Sequence, residues 1–230
     1  MSHDSSQRRR SRWRRHPDDR RLGNEKEDYV IALAGNPNTG KSTLFNRLTG
    51  LGVTTANYPG KTVSLNIGRI EYNGVSIKLI DLPGTYALGA FSDDQWVARR
   101  GLIENKPDAV IVVVDATNLK RNLYLVLQLL ETGYPVVVAL NMIDCASKNG
   151  IYIDHKKLSK ILNTPVVPTI ATTGRGVKEL IQAAVDAKSE SRQSVSSIKF
   201  QPDLEKVVQI LAGQIRSSMK TTPFNLPPRC

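Results

Sequence analysis

Nine consecutive residues near the start of the chain most constrain what it can fold into. They are Gly35, Asn36, Pro37, Asn38, Thr39, Gly40, Lys41, Ser42 and Thr43, which fit the phosphate-loop pattern G-x-x-x-x-G-K-[ST]. An apolar stretch at residues 29–34 predicts a buried strand before the loop, and Leu44, Phe45 and Leu48 follow at helical spacing. Inward-pointing backbone N–H groups and the helix dipole make phosphate oxygens the expected ligand.

Two side chains of this loop suit a nucleotide and its metal ion. Lys41 can reach the β- and γ-phosphates as a point charge, and the Ser42 hydroxyl is placed for a magnesium ion that bridges the same two groups. The alternative is a glycine-rich turn with an incidental lysine, and the flanking strand and helix argue against it.

Positive charge is concentrated at the N-terminus. The formal net charge is +11, and six arginines lie between residues 7 and 15. Because residues 1–28 contain almost no aliphatic side chains, they are expected to form a disordered arginine-rich tail. A solvated extension without a ligand is the favoured interpretation, and anionic lipid or RNA is the alternative partner, since Trp13 suits either.

Composition excludes several classes of protein. The apolar runs are shorter than the ~18 residues that a membrane-spanning helix needs, so the chain as given is expected to be soluble. Its two cysteines, Cys145 and Cys230, are too few for a secreted disulfide framework and lack the paired spacing of a zinc site. A reducing compartment is therefore expected.

The segments after the phosphate loop begin with an antiparallel pattern. Residues 51–61 contain glycine, proline and small polar residues without a clear period, which predicts a loop. Two β-branched runs at 62–72 and Val75–Asp81 are joined by Asn73 and Gly74, the dipeptide of a type I′ hairpin turn. These two strands are therefore expected to pair.

Parallel strands with crossover helices are predicted for the rest of the domain. Apolar strands at Ala109–Asp115, at 135–141 and at 164–168 alternate with helices at Leu119–Glu131 and at 177–188. The expected fold is a doubly wound α/β domain, whose mixed sheet has one antiparallel pair and is otherwise parallel, with helices on both faces.

Short motifs follow the predicted strands, at the edge where ligands bind in open α/β sheets. The first consists of Asp81, Leu82, Pro83 and Gly84. Asp81 can hold magnesium through a water molecule, and the Gly84 N–H can contact a γ-phosphate. On its own this motif is weak evidence for a nucleotide site, because a pattern as short as D-x-x-G is not specific.

Two further motifs point to the base of the nucleotide. In the group Asn141, Met142 and Asp144, the Asp144 carboxylate can accept two hydrogen bonds from a purine that carries N1–H and a 2-amino group, donors that adenine lacks there. In the later stretch 169–174, the backbone N–H groups of Ala171 and Thr172 can donate to a base carbonyl. Their order after the phosphate loop predicts a guanine-nucleotide site rather than unrelated turns.

Together these residues resemble a Ras-like GTP-binding domain and, in detail, the cytosolic G domain of the FeoB family of ferrous-iron transporters. The resemblance covers residues 29–188. Three sequence segments carry it: GNPNTGKSTLFN from Gly35, a first switch, and a second switch with the sequence DLPGTY from Asp81. The first switch comprises Asn57, Tyr58, Pro59, Gly60, Lys61 and Thr62.

The resemblance implies a P-loop GTPase with a low intrinsic rate. Thr62 then matches the switch threonine that binds magnesium, and Asn38 matches an asparagine associated with an activating potassium ion. Asn38, Lys41, Thr62 and Gly84 would be the catalytic residues. In the family, GTP and GDP control ferrous-iron passage through a transmembrane permease domain of the same protein, at the cytoplasmic face of the inner membrane.

This chain departs from the family pattern at a few positions. Thr39 replaces the usual cysteine or serine, Lys61 an aliphatic residue, and Ile170 the serine that many GTPases have before the base-contacting alanine. Thr85 stands where Ras-type enzymes have a water-orienting glutamine. Slow hydrolysis is the expected consequence of Thr85, and Ile170 is the departure that bears most on nucleotide specificity.

The expected organisation is a tail at 1–28, a GTP-binding domain at 29–190 and the start of an incomplete helical domain at 191–230. Apolar residues from Leu204 to Ile215 recur at helical spacing, which predicts an amphipathic helix. Since the chain resembles a truncated family member, we expect self-association through residues 200–230.

Two other functions remain open at the sequence level. A ribosome-assembly GTPase would use the basic tail to bind RNA, and salt-dependent RNA binding would favour it. The other is a binding module that is gated by the nucleotide but does not usefully hydrolyse it, which would differ from a GTPase only in the rate of GTP turnover.

Overall fold

Seven strands form one mixed sheet in a computed structural model, which describes residues 29–50, 53–58, 62–89 and 91–191, the side chains of 188–191 excepted. The elements are β1 (Tyr29–Gly35), α1 (Lys41–Thr49), β2 (Val53–Asn57), β3 (Ser64–Tyr72), β4 (Val75–Asp81), α2 (Asp93–Asn105), β5 (Ala109–Asp115), a 3-10 turn (Ala116–Asn118), α3 (Leu119–Glu131), β6 (Val136–Asn141), α4 (Ile143–Lys148), α5 (His155–Leu162), β7 (Val166–Pro168) and α6 (Val177–Ser191).

The strand order is β2-β3-β4-β1-β5-β6-β7. Strands β4, β1, β5, β6 and β7 are parallel, whereas β3 is antiparallel to both β2 and β4. Because β1 and β5 are central and covered on both faces, they consist of nearly continuous apolar residues. Because these five strands are parallel, their carboxyl ends lie at one edge of the sheet, and the predicted motifs lie at that edge.

Helices cover both faces of this sheet. In β5, Val110, Val112 and Val114 face one core with buried residues of α2, α3 and α5. Ile111 and Val113 face the other core, which contains buried residues of α1 and α6. This alternation follows from the period of two in a strand, and it confirms the doubly wound α/β class.

The antiparallel part of the sheet is larger than expected. The prediction of a loop throughout residues 51–61 is wrong for Val53–Asn57, which pair with β3, so there are two antiparallel pairings rather than one. Most side chains of β2 are exposed, and an edge strand without a buried face leaves no alternation of apolar residues in the sequence.

Three helices, α2, α4 and α5, also escaped the sequence analysis. Two of them begin at recognisable caps: the Ser92 side chain accepts a hydrogen bond from the Gln95 N–H, and the Asp154 side chain accepts one from the Lys157 N–H. These N-cap residues were the available signal. The expectations for the tail at 1–28 and for residues 200–230 lie outside the described residues.

No helix in the described ranges combines the length and apolar character needed to cross a membrane.

The predicted hairpin turn is present between β3 and β4. Asn73 and Gly74 have φ values of 51° and 80°, the left-handed conformation that a type I′ turn requires at both positions.

This turn allows a test of backbone strain alone. No atom lies within 4 Å of the position that a Gly74 Cβ would take. Gly74→Ala should therefore lower the free energy of unfolding by about 1 kcal/mol through the positive φ, without a clash. Asn73→Gly is the matched control and should change it by under about 0.5 kcal/mol. Urea denaturation of both variants checks this, and equal midpoints would contradict the assigned turn.

Candidate nucleotide-binding site

The phosphate loop follows the carboxyl end of β1 and leads into α1. Its residues 36–38 and 40–43, together with Gly84, line a cleft of about 420 Å³. Asn38 and Gly40 have positive φ values of 65° and 84°, so the backbone curls around the cleft. The Thr39 hydroxyl donates to the Asn36 carbonyl oxygen at 3.0 Å, which closes the turn. The structure thus brings together the residues predicted to bind phosphate.

Glycine is required in this loop because of close approaches. A Cβ on Gly40 would lie 2.4 Å from the Asn141 Nδ2 atom, and a Cβ on Gly35 would lie 2.7 Å from the Val113 carbonyl oxygen. The buried Asn36 side chain donates to the Arg121 carbonyl oxygen at 3.3 Å and so attaches the loop to α3. Asn36 therefore lines the cleft while its side-chain amide is bound to α3.

Lys41 and Asp81 form the buried ion pair of the site. The Lys41 Nζ atom lies 2.5 Å from the Asp81 Oδ1 atom, and the two residues are only 7% and 5% exposed. Asp81 comes from the end of β4, next to β1 in the sheet. Lys41 lines the phosphate cleft, and the strand order brings the Asp81 carboxylate next to it.

The second switch motif lies directly against the phosphate loop. The Leu82 N–H donates to the Leu33 carbonyl oxygen at 3.0 Å, and the Thr85 N–H donates to the Gly35 carbonyl oxygen at 3.1 Å. A Cβ on Gly84 would meet the Pro37 backbone at 3.3 Å. Thr85 is buried and its hydroxyl donates to the Ala87 carbonyl oxygen at 2.7 Å, so that hydroxyl is already engaged.

Asn141 connects the phosphate loop to the loop predicted to contact the base. Its Nδ2 donates to the Thr39 carbonyl oxygen at 2.8 Å. Its Oδ1 accepts from the Ala171 N–H at 3.0 Å and from the Thr169 hydroxyl at 3.4 Å. The residue is 2% exposed, so it serves as an internal tie between the two loops.

The other predicted base-contacting residues lie around this tie. Met142 has a positive φ of 61° and is the N-cap residue of α4, whose first turn contains the half-buried Asp144. Ala171 is buried and Thr172 is exposed. Sequence analysis missed Arg47 of α1, whose guanidinium donates to the carbonyl oxygens of Ala171 and Thr172. Its exposed helical position gave no signal in the sequence.

The described part of the first switch contacts α2. The Tyr58 hydroxyl donates to the Glu104 Oε2 atom at 2.9 Å, and its ring packs edge-on against Trp96 at 5.7 Å between centroids. Burial, and secondly this hydrogen bond, raises the pKa of Tyr58 to about 12. Arg100, which bonds Glu104 at 2.5 Å, and then the Tyr58 hydroxyl hold the pKa of Glu104 below its usual range.

The remaining first-switch residues are only partly described. Asn57 ends β2 and is exposed, as is Thr62. Pro59, Gly60 and Lys61 lie outside the described residues.

The cleft residues fit a magnesium ion that is completed by phosphate oxygens. Ser42 is exposed in the cleft, and the described residues donate no hydrogen bond to the second carboxylate oxygen of Asp81. Hydroxyl and carboxylate oxygens are the ligands that magnesium prefers. Among the described residues no three acidic, histidine or cysteine side chains cluster, so a nucleotide would have to supply further ligands.

A phosphate loop, a D-x-x-G motif and an Asn-Asp motif at the carboxyl ends of β1, β4 and β6 define a Ras-like P-loop GTPase domain. Residues 29–184 match the family described as "Ferrous iron transport protein B". The chain belongs to this family, as its sequence resemblance predicted.

Named relatives and solved structures agree with this assignment. The chain is 40% identical over 202 residues to the FeoA/FeoB fusion protein of Porphyromonas gingivalis, covering 86% of this chain and 24% of the relative. It is 42% identical over 194 residues to the Fe(2+) transporter FeoB of Salmonella typhimurium, covering 83% and 25%. The chain thus spans about a quarter of the length of these relatives.

Among solved structures, the FeoB G-domain from Methanococcus jannaschii is 48% identical with a TM-score of 0.63, covering 71% of this chain and 99% of that one. A GDP-bound variant of the S. thermophilus FeoB G-domain is 40% identical with a TM-score of 0.70, covering 79% and 69%. These structures confirm the fold of the described domain.

The Asn141 tie can be broken without changing side-chain shape. Asn141→Asp places a carboxylate oxygen against the Thr39 carbonyl oxygen and removes a buried donor. The free energy of unfolding should fall by about 2 kcal/mol or more at neutral pH. The deficit should shrink in acid, because a protonated carboxyl group can donate again. Chemical denaturation at several pH values measures both effects.

Asp144→Asn is the matched control, since the described residues give the Asp144 side chain no hydrogen bond. Its free energy of unfolding should change by under about 0.5 kcal/mol. Equal effects of the two substitutions would show that Asn141 is not the tie.

Proposed function

We propose that this domain binds GTP and GDP and slowly hydrolyses GTP with magnesium as a regulatory domain of a ferrous-iron transporter. The observation that carries the proposal is the Asn141 amide, which holds the phosphate loop and the base loop in one unit beside Asp144. A nucleotide can then bind both loops at once.

Selectivity for guanine would come from Asp144. Its carboxylate can accept from N1–H and the 2-amino group, and each charge-assisted hydrogen bond contributes roughly 1.5–3 kcal/mol. Adenine presents no such pair of donors, so GDP should bind about a hundredfold or more tightly than ADP. Met142 and the Thr172 N–H would complete the base site beside Ala171, whose own N–H, predicted to contact the base, donates to Asn141 instead.

Hydrolysis would depend on how the cleft residues hold the phosphates. Lys41 would exchange its Asp81 contact for the β- and γ-phosphates, and the Gly84 N–H would donate to the γ-phosphate. Magnesium, held by Ser42, Thr62 and, through water, Asp81, would neutralise charge on those phosphates.

A low rate follows from what the cleft lacks. Thr85 occupies the glutamine position with a short, engaged hydroxyl, so it does not orient a water molecule. An arginine finger is worth about 10³–10⁵ in rate, and no arginine lines the described cleft. Arg121 instead packs 4.2 Å from the Tyr86 ring.

A potassium ion near Asn38 would partly replace that missing charge. Asn38 is exposed at the cleft, and its amide oxygen suits a monovalent cation beside the β- and γ-phosphates.

The transport role rests on the relatives, which are named Fe(2+) transporters and of which the matched part of this chain covers about a quarter. The proposed partner is a transmembrane permease domain of the same protein, with this domain at the cytoplasmic face of the inner membrane. The 191–230 helical domain and self-association through 200–230 remain predictions, as does RNA or lipid binding by the tail.

Nucleotide choice is tested by converting the base-recognising carboxylate into an amide. Asp144→Asn should weaken GDP binding by about tenfold or more, since a charge-assisted bond is lost. It should improve binding of xanthosine diphosphate, because the amide N–H₂ can donate to the carbonyl at C2 of xanthine. Titration calorimetry with GDP, ADP and xanthosine diphosphate measures this, with Asp94→Asn as control. Comparable GDP and ADP affinities in the parent chain would contradict the proposal.

The potassium assignment is tested at Asn38. Asn38→Ala should abolish stimulation of GTP hydrolysis by potassium over sodium and leave GDP affinity nearly unchanged. Because Asn38 has a positive φ, Asn38→Gly removes the same amide without backbone strain and should behave identically. Full potassium stimulation in the glycine variant would rule out this role.

A further inference from the structure

Arg47 projects from α1 onto the loop that precedes α6. Its Nε donates to the Ala171 carbonyl oxygen at 2.6 Å, and one terminal nitrogen donates to the Thr172 carbonyl oxygen. Gly174, with a φ of 83°, allows the close contact, since a Cβ there would lie 3.2 Å from the guanidinium. One planar group thus bonds two consecutive peptide carbonyls.

The hydrogen bonds of this loop can be accounted for completely within the described residues. The Ile170 carbonyl oxygen accepts from the Thr173 and Gly174 N–H groups, and the Ile170 N–H donates to the Arg175 carbonyl oxygen. The Ala171 N–H donates to Asn141. From Ile170 to Gly174, the Thr172 N–H is the one backbone donor without an acceptor in the described part of the chain.

The direction of that donor follows from peptide geometry. The Ala171 carbonyl and the Thr172 N–H belong to one planar trans peptide, so they point to opposite sides. Because Arg47 holds the carbonyl on the α1 side, the N–H is directed away from α1. Ile170 has no hydroxyl that could hydrogen-bond within the loop. The orientation of this peptide therefore depends on Arg47.

We propose that Arg47 is a positioning residue that fixes the Ala171–Thr172 peptide so that the Thr172 N–H donates to the carbonyl at C6 of a bound guanine. The inference rests on the proposed guanine-nucleotide site and adds a determinant outside the nucleotide-binding motifs. Without the guanidinium, the peptide can rotate and the donor is no longer pre-oriented.

The test compares three nucleotides on the 230-residue chain. GDP presents the C6 carbonyl, 6-thio-GDP replaces that oxygen with a weakly accepting sulfur, and IDP keeps the oxygen but lacks the 2-amino group. Arg47→Met keeps a long apolar side chain and removes all donors. It should weaken GDP about three- to tenfold, bring the GDP to 6-thio-GDP affinity ratio towards one, and leave the GDP to IDP ratio unchanged.

Controls separate positioning from general damage. Arg99→Ala removes an exposed arginine from α2 and should leave all three affinities at the parent values. Thermal unfolding of each nucleotide-free variant shows whether the domain is intact. Equal weakening of all three nucleotides by Arg47→Met would mean a purely structural role and overturn the inference.

The inference and the proposed function fail in different ways. If the parent chain does not prefer GDP to ADP, the guanine site itself is wrong. If the parent prefers GDP but Arg47→Met keeps the parent GDP to 6-thio-GDP ratio, only the role of Arg47 is wrong.

Discussion

The buried amide of Asn141 is the interaction on which the site depends. It lies at the carboxyl end of β6, where it reaches the phosphate loop that follows β1 and the loop that follows β7. A buried amide is costly unless its donors and acceptors are paired, so the arrangement is stable only when both loops are in place. One side chain thereby makes two separate loops into a single binding surface.

This requirement explains the unusual backbone around the site. Gly40 can have no side chain because its Cβ position is taken by the Asn141 amide, and Met142 takes a positive φ as the chain turns from β6 into α4. Non-glycine residues in this conformation are uncommon and persist where surrounding contacts hold them. Asn38, also at positive φ, belongs to the same rigid loop.

The sequence predicted the parts whose chemistry is local. The phosphate loop, the hairpin turn at Asn73 and Gly74, and the buried strands β1 and β5 all carry short-range patterns, and the structure contains each of them. Strand β2 could not be found this way, because an exposed edge strand owes its existence to pairing with β3. Arg47 was missed for a similar reason, since its contacts join residues 124 and 125 positions apart. Sequence patterns report the spacing of residues along the chain, whereas contacts between distant residues depend on the folded topology.

The contact between Tyr58 and α2 has a consequence for how the domain can move. Tyr58 is the second residue of the first switch, and its hydroxyl donates to Glu104 in the last turn of α2. A change in this part of the first switch must therefore either break that bond or displace α2. The two segments are coupled through this bond, and the coupling is reciprocal: a molecule that binds the outer face of α2 and breaks the Glu104 bond also releases Tyr58.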